Sequence, residues 1–127
     1  MSAELTYLVW TIALTAVMWF PYIVDRIMVR GLSVAVGYDE SKPQSPWAQR
    51  MQKAHYNAVE NLVLFGGLVL VLNAVGISNS TTVLACKVYF WTRLAHYLVY
   101  SVGVPWMRTL TFTASWVALV VLILELL

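Results

Sequence analysis

From Leu5 to Val24 the chain runs without a charged residue. About 20 apolar residues in helical form are what the hydrocarbon core of a bilayer requires. Such a stretch has two possible homes, a protein core or lipid, and composition decides between them. The 127 residues are 61% hydrophobic and 11% charged. Soluble domains are about 45–50% apolar and about 25% charged. A soluble fold of this length keeps too much surface in water to hide so much apolar side chain. The chain therefore reads as an all-α integral membrane protein. In lipid, a helix satisfies its own backbone polar groups within one segment.

The first apolar stretch has no Lys or Arg before it and no small-residue cleavage pattern, so it is expected to be a retained span, not a signal peptide. Pro21 lies inside it and removes a backbone donor, which predicts a kink. Gly31 to Ser45 reads as the one substantial loop. Ser45-Pro46 then reads as a helix start, with serine as N-cap and proline at the first helical position. The second helix extends to Val75, roughly 45 Å at 1.5 Å per residue, so its first turns project beyond the hydrocarbon. Gly76 to Ser80 is a short turn, and Gly103 and Pro105 punctuate the last join. The expected architecture is a single domain over 1–127, an up-down-up-down bundle of four spans at about 4–29, 46–75, 81–102 and 105–127.

The net charge of +2 is too small, and its basic residues too scattered, for nucleic-acid binding. The single cysteine, Cys86, rules out an intrachain disulfide and reads as a small buried hydrophobe. Two histidines without matching Cys or acidic spacing give no metal site. Arg26, Arg30, Lys42, Arg50 and Lys53 flank the first loop, and Arg108 follows the third. The positive-inside rule places both loops in the cytoplasm. Trp10, Trp47 and Trp106 near helix ends suit interfacial belts.

Several polar side chains lie within the apolar segments. Arg50, Lys53, Asn57 and Glu60 step by three, four and three, which puts them on one stripe of the second helix. Arg93, His96 and Tyr100 do the same on the third. A charge in hydrocarbon costs at least about 2.5–3.5 kcal/mol on insertion scales, so it persists where it meets a partner or a wet cavity. Glu60 and Arg93 each lie roughly a dozen residues into antiparallel helices, about 18–20 Å along their axes. An ion pair between them is the economical expectation. Such a pair can serve merely to staple helices, as can an amide like Asn57. The constellation is larger than a staple needs, and it suits a polar zwitterionic ligand in a cleft open to the cytoplasm.

The run from Arg50 to Asn61, containing Lys53-Ala54, Asn57 and Glu60, resembles the second-helix signature of the MAPEG family, membrane-associated proteins in eicosanoid and glutathione metabolism. Arg93 to Tyr100, followed by Pro105 and Arg108, resembles its third- and fourth-helix signature. The likeness covers nearly the whole chain and is greatest to small bacterial members, which implies a bacterial inner membrane. It implies a homotrimer with glutathione as cosubstrate in a cleft between protomers, surrounded by membrane lipids. Carried over, Asn57 and Glu60 hold the peptide's amide and amino groups, and His96 and Tyr100 contact it from the third helix. Lys53 meets a carboxylate, and Arg26 or Arg30 of a neighbouring protomer meets another. Arg50 and Arg93 complete the binding set. Arg108, with Tyr100, is the catalytic candidate, because a permanent cation stabilises thiolate, the nucleophilic form. Tyr56, Asn61 and Phe112 depart from residues found in some eicosanoid synthases. The function implied is a glutathione transferase or peroxidase acting on hydrophobic electrophiles. A non-catalytic lipid-binding or scaffolding trimer is the alternative, and another small thiol could replace glutathione.

Overall fold

The computed structural model describes all 127 residues, Met1–Leu127, and contains helices without strands. In chain order these are α1 (Ala3–Val17), α2 (Trp19–Arg30), α3 (Leu32–Ala35), α4 (Pro46–Val75), α5 (Ser80–Val102) and α6 (Pro105–Leu126). Three helical stretches are long and apolar enough to cross a membrane: Ala3–Arg30, Pro46–Val75 and Pro105–Leu126. Together with its sequence family, described below, this makes the chain a multi-pass membrane helical bundle. α5 is long enough at 23 residues but less apolar, because it carries Lys87, Arg93 and His96.

The first apolar stretch breaks between α1 and α2, at Met18, three residues before Pro21. Proline offers no N–H to the carbonyl four residues back, and its ring crowds that carbonyl. The break is held from outside. Met18 is buried, and its carbonyl accepts a hydrogen bond from the Tyr97 hydroxyl of α5 at 2.8 Å. The expected loop before α4 contains one short helix, α3. Arg26 organises it, donating from Nε to the Ala35 carbonyl at 2.8 Å and from Nη2 to the Gly37 carbonyl at 3.3 Å. Further along, the Ser41 amide donates to Asp39 Oδ1 at 2.9 Å, which holds that carboxyl below its ordinary range.

Ser45 occupies the N-cap of α4, but its hydroxyl does not cap the helix. It donates instead to Asp25 Oδ1 at 2.6 Å, while the Ser45 amide donates to Asp25 Oδ2 at 3.0 Å. The buried Asp25 carboxylate thus docks the start of α4 on α2. Glycines in left-handed conformation close α4 and α5, Gly76 at φ 75° and Gly103 at φ 83°.

Opposite ends of the bundle are tied by polar contacts. At one end, Glu4 Oε1 accepts from Ser78 Oγ at 2.8 Å and Thr82 Oγ1 at 2.7 Å, joining the starts of α1 and α5. Asn79 donates to Glu125 near the end of α6 at 3.0 Å. At the other, Arg50 Nε of α4 donates to the Ser101 carbonyl of α5 at 3.0 Å. Between them lies an apolar core. Phe65 of α4 stacks on Tyr89 of α5, ring centres 3.9 Å apart, and Leu8, Val69, Cys86 and Leu122 pack around them. In a bilayer, close van der Waals packing supplies the association, because lipid tails are as apolar as the core itself.

Candidate functional site

The end of the bundle tied by Arg50 also opens into a groove. Its first lobe, about 230 Å³, is lined by Arg50, Lys53, Tyr100, Gly103, Val104, Pro105 and Arg108. Its second lobe, about 360 Å³, is lined by Asn57, His96, Tyr100, Arg108, Thr109 and Phe112. Tyr100 and Arg108 belong to both lobes, so the two are one groove at the meeting of α4, α5 and α6. Small-molecule sites are commonly about 300–1,000 Å³.

Helical spacing builds each wall. Arg50, Lys53 and Asn57 descend α4 a turn at a time, and His96 and Tyr100 descend α5 by four. The left-handed turn at Gly103 reverses the chain, and Pro105 restarts it as α6, which brings Arg108 opposite Tyr100. The Arg108 guanidinium lies 4.9 Å from the centre of the Tyr100 ring. The His96 ring meets Tyr100 edge to face, centres 5.5 Å apart, and lies 6.1 Å from the ring of Phe112.

The lining therefore contains three cations, Arg50, Lys53 and Arg108, and no carboxylate. Lys53 and Arg108 are exposed, while Arg50 is half-buried and anchored to α5. A groove of this kind draws anionic groups and stabilises a negative charge that develops inside it.

Six of the sequence-derived site residues come together here: Arg50, Lys53, Asn57, His96, Tyr100 and Arg108. Three do not. Arg30 donates from Nε to the Lys42 carbonyl at 2.7 Å and serves the first loop. Glu60 is exposed on the surface of the bundle. Arg93 is buried, 2% exposed, behind the groove wall.

The expected Glu60–Arg93 ion pair is absent. Arg93 Nη2 donates instead to Asn57 Oδ1 at 2.6 Å. The one ion pair in the protein joins Arg26 and Glu40 at 3.5 Å in the first loop. Matching depth did not fix the facing. Three residues along a helix fall about 60° short of a full turn. With Asn57 turned to α5, that offset carries Glu60 toward the exposed side of α4. The Arg93 charge is thus met by an amide, and its Nε and Nη1 have no protein partner.

Sequence reasoning missed Gly103, Val104 and Thr109 in the groove wall and gave Phe112 no role there. Phe112 sits four residues after Arg108 and three after Thr109, spacings that put it on a face with each of them. Gly103 had no such signal. A side chain there would come within 3.2 Å of Arg50 Nε, so its lack of one shapes the groove.

Comparison with known proteins supplies one finding. Residues 5–127 match the family model described as the MAPEG family. No curated protein matches the chain.

Proposed function

The chain belongs to the MAPEG family, and from that premise we propose that it is a membrane-bound glutathione-dependent transferase or peroxidase acting on hydrophobic electrophiles. The carrying observation is the groove with three cations and no carboxylate, joined across its two lobes by Tyr100 and Arg108. Glutathione brings two carboxylates and a thiol that must ionise to react. Arg50 and Lys53 suit the carboxylates. Asn57, His96 and Tyr100 suit the peptide groups of the second lobe. Arg108 lies beside both lobes and suits the sulfur, because a guanidinium stays protonated when partly desolvated.

In this reading the thiol proton leaves to solvent and Arg108 stabilises the thiolate. The sulfur lone pair then forms a bond to carbon of an electrophile that arrives through lipid, and the displaced pair departs with the leaving group. A peroxide would be reduced at the same sulfur, with a second glutathione completing the disulfide. Glu60, exposed on α4 about one turn beyond Asn57, meets the ligand's ammonium where a neighbouring protomer closes over it. That arrangement fits four spans in up-down-up-down order, a homotrimer, and first and third loops facing the cytoplasm of a bacterial inner membrane.

Thermal unfolding of the detergent-solubilised protein tests the proposal. Glutathione at 100 times its dissociation constant should add about 2.7 kcal/mol of stability. Conjugation of a small aryl halide should appear in the same preparation. A well-folded protein that saturating glutathione leaves unshifted would favour another thiol or a lipid-binding trimer.

A further inference from the structure

Asn57 is the one amide in the groove lining, and an amide can face a ligand as donor or as acceptor. Its orientation is decided behind the wall. Arg93 is buried, has no carboxylate partner, and donates from Nη2 to Asn57 Oδ1 at 2.6 Å. A guanidinium has only donors, so it can meet the oxygen of Asn57 but not its nitrogen. Turning the amide over would set two donors against each other and leave a buried cation with no acceptor. The backbone of Asn57 is committed as well, its carbonyl accepting from Asn61 Nδ2 at 2.9 Å. That leaves the Nδ2 group, with no protein partner among the hydrogen bonds of Asn57, as what this residue offers the groove.

We infer that Arg93 is a positioning residue: it fixes the Asn57 amide so that the groove presents an N–H donor, and so selects a carbonyl or carboxylate oxygen of the ligand at that point. Arg93 itself does not reach the groove. The three cations of the groove agree in sign, since Arg50, Lys53 and Arg108 are donors only. The ligand atom at Asn57 is then an acceptor and not the ammonium. For the identity of the ligand this rests on the glutathione reading.

Two measurements test it. The first needs no ligand: a double-mutant cycle in thermal unfolding with Asn57→Leu, Arg93→Met and the pair. Asn57→Leu strands the Arg93 cation and should lower the melting temperature more than the double variant does. Additive effects would overturn the pairing and the inference with it. The second compares glutathione affinity in wild type and Asn57→Asp by calorimetry. Aspartate keeps an oxygen toward Arg93 and should fold at least as well, but it has no donor for the groove. Affinity should fall about tenfold or more, the equivalent of one hydrogen bond lost. Arg93→Lys, which can still donate to Oδ1, should stay close to wild type, whereas Arg93→Met should weaken binding. Equal or tighter glutathione binding by Asn57→Asp would overturn the inference while leaving the glutathione reading intact. Coupling in the cycle, with a wild type that does not bind glutathione, would do the reverse.

Discussion

The Arg108 guanidinium and the Tyr100 ring, 4.9 Å apart, form the one contact that both lobes of the groove share. A cation over an aromatic face gains about 0.5–1 kcal/mol at an exposed site. The energy is small, but it holds an otherwise free arginine over the groove.

Arg108→Ala should therefore separate binding from chemistry. Glutathione affinity should change little, because Arg50, Lys53 and Asn57 remain. Turnover of an aryl electrophile should fall by about 10²–10³, the size seen when one charge-stabilising donor is removed. The thiolate absorbance of bound glutathione should appear at higher pH than in wild type. A variant with normal turnover and an unchanged thiol titration would transfer the role to the Tyr100 hydroxyl. Tyr100→Phe then isolates that hydroxyl while keeping the ring under Arg108.

The bond from the Tyr97 hydroxyl to the Met18 carbonyl closes the break that Pro21 forces on the first apolar stretch. Tyr97→Phe leaves that buried carbonyl with one partner fewer and should cost about 1–3 kcal/mol. Denaturant unfolding in mixed micelles measures the loss. An unchanged midpoint would mean that α1 and α2 hold their angle without α5.

Asp25→Ala removes the acceptor for the Ser45 amide and hydroxyl together. Hydrogen bonds to a carboxylate contribute about 1.5–3 kcal/mol each. The first turns of α4 should loosen, and amide hydrogen exchange over residues 49–53, whose amides make the first helical bonds, should rise. Because Arg50 sits on those turns, glutathione affinity should fall as well. Protected amides and normal affinity in this variant would show that Pro46 alone starts the helix.

Gly103→Ala tests a glycine that meets two demands at once. Its φ of 83° disfavours any side chain, and the added methyl would meet Arg50 Nε at 3.2 Å. The left-handed conformation costs about 1–2 kcal/mol for an ordinary residue. Melting should drop by a matching amount, and affinity should weaken as Arg50 shifts off the Ser101 carbonyl. A loss of stability with affinity intact would show that Arg50 can move without harm to the groove.

Much of this protein follows from its sequence because lipid leaves a chain few choices. Long apolar runs must become helices there, since no water satisfies the backbone. Prolines and glycines then set the limits: Pro46 opens α4 and Gly76 closes it, Gly103 closes α5 and Pro105 opens α6. The three- and four-residue steps of Arg50, Lys53 and Asn57, and of His96 and Tyr100, put each set on one face. Those faces do meet, around Arg108.

Only the tertiary structure decided which residues touch. Depth along two antiparallel helices made Glu60 and Arg93 look like partners, but contact also depends on how each helix is rotated about its axis. The packing of Phe65 on Tyr89 and the docking of α4 through Asp25 belong to the assembled bundle, as does that rotation. Asn57 therefore faces Arg93, Glu60 faces outward, and Ser45 turns its hydroxyl from its own helix to Asp25. Spacing along one helix is fixed by the geometry of the backbone. Pairing between helices is fixed by side-chain packing spread over the whole bundle, and no local run of residues encodes it.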